Sequence, residues 1–185
     1  MDLQSSWIKY GIIYGIAGII LQLVMFYVIP LGIWTQMLVG IAIMVVIFVL
    51  AGKAQRIENG GTLTYGEALK TTYLTGLVGT VIGGLFSLIL INLVDPSLVD
   101  KLTEMAMEST RSMMETFGTP DDVANEALEK VEEDMVSQFT PFGQLMTIFK
   151  SALFMIIPAA LVSIFLKKEA DPNKIDLNDI SGTDA

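Results

Sequence analysis

No charged residue stands between Lys9 and Lys53, a gap of 43 residues. As a single helix this stretch would run roughly 64 Å at 1.5 Å per residue. That is about twice the ~30 Å thickness of a bilayer's hydrocarbon core. The chain must fold back, and Ile29-Pro30-Leu31-Gly32 is the break. Proline disfavours helix at the preceding residue and removes a backbone donor. The pattern predicts span one over residues 10–29 and span two over residues 33–52.

A second uncharged block runs from Thr71 to Val94, and its helix should begin earlier. Thr64-Tyr65-Gly66-Glu67 fits a capping box, with Thr64 as N-cap and Glu67 reaching back to the Thr64 backbone N–H. Gly60-Gly61 supplies the preceding turn. Span three is then 65–94. Thr140-Pro141 opens the fourth block with an N-cap and a proline at the first helical position. Lys150 interrupts it, leaving 16 uncharged residues from Ser151 to Leu166, short for a span. Lys150 either snorkels to the nearer interface or lies inside with a function. Span four, 141–168 with its closing lysines, should kink at Pro158.

Between spans three and four the pattern changes. From Asp95 to Asp134 the chain holds 12 of its 20 acidic residues against Lys101, Arg111 and Lys130. Phe117-Gly118-Thr119-Pro120 ends one helix and starts the next. Two amphipathic helices are predicted, over 97–117 and 120–138, paired as an antiparallel hairpin within residues 95–140. Leu102, Met105, Leu128 and Val131 are its expected contacts, with Met107, Met113, Met114 and Met135 adding soft apolar surface.

Composition agrees with a membrane protein: 52% hydrophobic, 17% charged and a mean hydropathy of +0.60, where soluble domains carry about a quarter charged residues. Cysteine and histidine are both absent, which removes disulfides, thiolate chemistry and His/Cys metal sites. No metal or cofactor is expected. A net charge of −9 argues against nucleic acid as a partner. No small-x-small cleavage site follows the first apolar run, so span one is expected to be retained rather than removed as a signal peptide.

Positive charge falls on one side of a four-span layout: Lys9, then Lys53, Arg56 and Lys70, then Lys167, Lys168 and Lys174. The positive-inside rule puts both termini in the cytoplasm and residues 95–140 outside it. Trp7 and Tyr10 suit one interface, Tyr27 and Trp34 the other. Residues 169–185 read as a disordered cytoplasmic tail. The expected fold is an all-α integral membrane protein, a four-transmembrane-helix bundle with an extracytoplasmic amphipathic helical hairpin between spans three and four.

Three stretches carry a resemblance. They are Trp7-Ile8-Lys9-Tyr10-Gly11, the run Gly61-Thr62-Leu63-Thr64-Tyr65-Gly66-Glu67-Ala68-Leu69-Lys70, and Asn92-Leu93-Val94-Asp95-Pro96 leading out to the helical insert. With a last span ending in lysines, this layout resembles a family of small bacterial membrane proteins, mainly from Bacteroidota, known as domain of unknown function 4199. The resemblance implies a multi-pass protein of the bacterial inner membrane. It carries over no catalytic residues.

Candidate chemistry is sparse. Glu67 and Lys70 form the one opposite-charge pair at a span end, and the capping box plus an i,i+3 pair explains them. No carboxylate lies mid-span, which counts against a proton relay or a two-aspartate membrane protease. Gly11, Gly15, Gly18 and Gln22 share one face of span one. Thr72, Gly76, Thr80 and Gly84, with Gly79 and Gly83, give span three small residues too. Close packing of spans one and three is the expected use of both stripes, with a polar substrate path as the alternative.

The expected function is that of a non-enzymatic accessory or scaffold subunit. It would bind a membrane or extracytoplasmic protein through the acidic hairpin, at a surface formed by Glu126, Glu129, Glu132 and Glu133 with Lys150 nearby. The alternative is a small transporter or channel, which would need several copies of the chain as a homo-oligomer in the lipid bilayer. A membrane enzyme would have to work with carboxylates, Lys or Tyr at the interface. The carboxylates of the insert are instead spaced as solvated helix faces.

Overall fold

The computed structural model describes residues 5–29 and 32–168. Seven helices follow in order: α1 Ser6–Tyr27, α2 Ile33–Glu58, α3 Tyr65–Ile89, α4 Leu98–Thr116, α5 Asp121–Phe139, α6 Pro141–Phe154 and α7 Ile156–Leu166. No strand forms among the described residues. Among the described residues, four stretches are long and apolar enough to cross a membrane: Ser6–Tyr27, Trp34–Glu58, Tyr65–Val94 and Pro141–Leu166. Pro30, Leu31 and the tail 169–185 lie outside the described residues.

The helix ends follow local chemistry. α2 runs past residue 52 to Glu58, because Ala54, Gln55 and Arg56 are good helix formers. It stops at Asn59, ahead of Gly60 and Gly61, whose positive φ angles of 73° and 101° no helix contains. α3 does not end cleanly at Ile89. Leu90–Val94 continue it as one widened π turn, closed by Asp95 N–H on the Leu90 carbonyl at 2.7 Å. Gly118, at φ 63°, ends α4 and frees the chain to start α5. The last span is broken at Met155 into α6 and α7. Pro158 has no N–H to offer the Phe154 carbonyl four residues back, which accounts for the interruption there.

α3 is the centre of the bundle. It packs most extensively along α1, and also touches α2, α6 and α7. Glycines make the α1–α3 contact close. A Cβ on Gly11 would strike Val78, one on Gly15 would strike Ile82, and one on Gly79 would strike the Tyr14 ring. For helices that cross a membrane, such backbone approach and its van der Waals contact are the main attraction between them.

The two ends of the bundle differ. At one end Ser6 Oγ donates to Glu58 Oε1, and Leu63 and Lys168 exchange backbone hydrogen bonds, each 2.8 Å, as an isolated antiparallel bridge. Phe48, Leu63, Ala68, Ala159, Val162 and Leu166 form a buried core beside that bridge. Within the same region the Thr72 and Ser163 hydroxyls are 3.0 Å apart and fully buried. Each also bonds a backbone carbonyl one turn back, Thr72 to Ala68 and Ser163 to Ala159. At the other end Leu90, Ile91 and Leu98 are buried against Leu23, Phe26 and Phe139. There Tyr27 Oη donates to Asp95 Oδ2 at 2.8 Å. The α4–α5 hairpin leaves the bundle from this second end.

Candidate functional site

α4 and α5 pair side by side, and Leu128 is the apolar side chain buried between them, only 6% exposed. Leu102, Met105 and Val131 are half-buried. Part of the apolar surface stays open: Phe117 is 79% exposed, with Met113, Val123 and Val136 also exposed, while Met107, Met114 and Met135 are half-buried. A helix pair this charged has little core, so its stability rests on a narrow seam.

Beside that seam lies a cleft of about 870 Å³. Asp100, Glu104, Glu108 and Glu115 line it from α4, and Glu132 lines it from α5. Spacings of four, four and seven put the α4 carboxylates on one helical face. Arg111 is the cation among them. Thr103 also lines the cleft; it is 9% exposed and its Oγ1 has no hydrogen-bond partner. A buried hydroxyl without a partner is a cost that the fold of the hairpin carries. Among the described residues, no group of three or more carboxylates is arranged to hold a metal ion.

Of the acidic residues expected at this surface, Glu132 alone lines the cleft. Glu126, Glu129 and Glu133 are exposed elsewhere on α5. The larger share of the negative face comes from α4, which sequence reasoning passed over. Acids are denser along α5, but the available signal is the 4-4-7 periodicity of Asp100, Glu104, Glu108 and Glu115 on α4. Lys150 does not reach these carboxylates. It is exposed on α6 and lines a separate cleft with Asp134.

Asp95 sits at the root of the hairpin. Ser97 Oγ donates to it at 2.6 Å and Tyr27 Oη at 2.8 Å. These two bonds, Ser97 first, hold its carboxyl below the usual aspartate range.

The small residues of the spans pack helices together or line a space between them, and Gly79 and Gly84 do both. Gly11, Gly15 and Gly79 pack as described, and Gly84 meets Ile148 of α6. Gly76 turns away from α1 and faces Met155 and Phe48, so it serves spans two and four. Gly18 and Gly83 face open space instead of a helix. They line a chamber of about 340 Å³ between the spans, together with Tyr14, Gln22, Thr80 and Ser151. Gln22 spans the α1–α3 contact, its Nε2 donating to Ser87 Oγ at 3.1 Å. Among the described residues, no charged side chain lines the chamber. At the start of α3, Thr64 Oγ1 accepts from the Glu67 N–H, and Glu67 Oε2 accepts from the Thr64 N–H at 2.9 Å. Both groups of Glu67 are thereby used in capping.

The model of the family described as Protein of unknown function (DUF4199) matches residues 9–168. No curated protein and no solved structure matches the chain. The matched stretch begins in the first turn of α1 and ends at Lys168, the residue that closes the bridge to Leu63, so it takes in the whole bundle and the hairpin. The chain belongs to the DUF4199 family.

Proposed function

We propose that the protein is a non-enzymatic accessory subunit of the bacterial inner membrane, and that its α4–α5 hairpin docks a basic segment of an extracytoplasmic or membrane protein. The cleft carries this reading. Five carboxylates and one arginine line it, and exposed apolar side chains lie on the same hairpin. A cationic amphipathic helix is the complementary shape and charge.

The orientation assigned with it has both termini and the α2–α3 loop in the cytoplasm and the hairpin outside. Its support is the distribution of charge. Lys9, Lys53, Arg56, Lys70, Lys167 and Lys168 flank the span ends on the side of the Leu63–Lys168 bridge, while the hairpin side is acidic.

Photo-reactive probes at Glu104, Glu108 and Glu132 in living cells test the docking. The expected result is an adduct with a basic protein from all three sites, weakened by salt. Recovery of uncrosslinked protein and lipid alone, while a probe inside the bundle crosslinks normally, overturns it.

A second reading rests on the 340 Å³ chamber, whose lining of Gln22, Thr80 and Ser151 suits a small neutral solute in an oligomeric transporter. A flux assay in liposomes tests this. No flux above empty vesicles removes it.

A further inference from the structure

Lys150 is the only charged side chain within the fourth span, between Thr140 and Leu166. Counting back from Leu166 at 1.5 Å per residue, a ~30 Å hydrocarbon core ends about four residues before Lys150. The ammonium therefore starts roughly 6 Å inside the boundary and extends outward along its own stem to the headgroup layer. There it borders a cleft of about 420 Å³ between α5 and α6.

The lining of this cleft is not that of a simple anion site. Asp134, Ser137 and Gln138 face it from α5, and Met146, Thr147 and Lys150 from α6. Asp134 and Lys150 share the cleft without forming an ion pair with each other or with any described residue. The Ser137 hydroxyl and the Gln138 amide also make no side-chain hydrogen bond with any described residue. One cation on the membrane side, one anion on the hairpin side and two uncommitted polar groups between them match a zwitterion. In an ethanolamine phospholipid the phosphate lies nearer the hydrocarbon and the primary ammonium lies beyond it. Phe149 and Leu153, exposed on α6 below the cleft, offer apolar surface to the acyl chains.

We propose that the α5–α6 cleft is a binding site for a phosphoethanolamine lipid headgroup, with Lys150 on the phosphate and Asp134 on the ammonium. The site is separate from the α4–α5 cleft, in which neither residue takes part, so its fate does not depend on the docking reading. It rests on α6 lying in a membrane.

Native mass spectrometry of the purified full chain, loaded with phosphatidylethanolamine, phosphatidylglycerol or phosphatidylcholine, measures the lipid retained. Wild type should hold phosphatidylethanolamine up to about fivefold better than phosphatidylglycerol, the upper end of what one exposed charge pair supplies. Asp134→Asn should remove that preference while phosphatidylglycerol stays bound as before. Lys150→Met should lower retention of both lipids, and Lys150→Arg should restore it. Asp134→Asn changes an exposed side chain outside the spans, so it decides the matter even where Lys150→Met fails to fold. Equal or better retention of phosphatidylglycerol by wild type, or an undiminished ethanolamine preference in Asp134→Asn, overturns the proposal.

Discussion

The bridge end of the bundle and the hairpin are both helical, but they treat buried polar groups in opposite ways. At the bridge end, polar groups are buried and satisfied: Thr72 and Ser163 bond each other and backbone carbonyls, and Leu63 and Lys168 tie the α2–α3 loop to the end of the last span. On the hairpin, the Thr103 hydroxyl is buried without a partner, and Phe117 stands almost fully in the open. Satisfied groups add rigidity, and each unsatisfied one carries a desolvation cost of about 1–3 kcal/mol. Under the docking proposal the first region is finished by its own fold, and the second would be completed by a partner.

The comparison can be broken first at the closest helix contact. Gly79→Leu or Gly15→Leu forces a side chain into Tyr14 or into the branched carbon of Ile82. Each should cost about 1–3 kcal/mol, the usual range for overpacking, read as a lower thermal midpoint in detergent. Gly83→Leu, which points into the chamber, should be tolerated and should reduce any solute binding there. Equal losses at Gly79 and Gly83 would mean that the two glycines do not have different uses.

A smaller effect is expected at the buried hydroxyl pair. Thr72→Val leaves Ser163 with its Ala159 bond alone. Hydrogen bonds between membrane helices average about 0.6 kcal/mol and reach about 1.7. A double-mutant cycle with Ser163→Ala should return a coupling in that range, and purely additive losses would show that the pair contributes nothing as a pair.

On the hairpin, Phe117→Ser should leave stability within about 0.5 kcal/mol of wild type, since an exposed side chain has little to lose. It should nonetheless weaken partner capture. A clear fall in thermal midpoint would place Phe117 in a structural role.

Acid should act at the junction of the two regions. The Asp95 carboxyl is held below its ordinary value by Ser97 and Tyr27. Its contribution is therefore fully present above the usual aspartate pKa of about 3.9 and is lost as pH falls through the lowered folded value. Hydrogen exchange at Tyr27–Leu98 should rise over that acidic range in wild type and stay flat in Asp95→Asn.

Much of the helical layout could be read from charge gaps, prolines and the Thr64–Glu67 box, because these signals act within a few residues. The Leu63–Lys168 bridge could not. It joins residues 105 apart by backbone groups alone, and no side-chain pattern announces such a pair. The glycine stripes were legible as small residues, but not by use: Gly18 and Gly83 line a chamber where Gly11 and Gly15 pack. Only the rotation of each helix against its neighbours separates those cases. The same rotation turns Glu126, Glu129 and Glu133 away from the cleft and brings Asp100, Glu104 and Glu108 into it.

The docking of a basic segment at that cleft is tested most directly by neutralising it. The variant Asp100→Asn, Glu104→Gln, Glu108→Gln, Glu132→Gln and wild type can be purified from membranes in mild detergent at low and high salt. Wild type should retain a basic protein at low salt and release it at high salt, while the neutralised variant retains none and keeps the wild-type thermal midpoint. A wild type that is solitary across several detergents, or a variant that holds the same partner with the same salt dependence, would contradict the account.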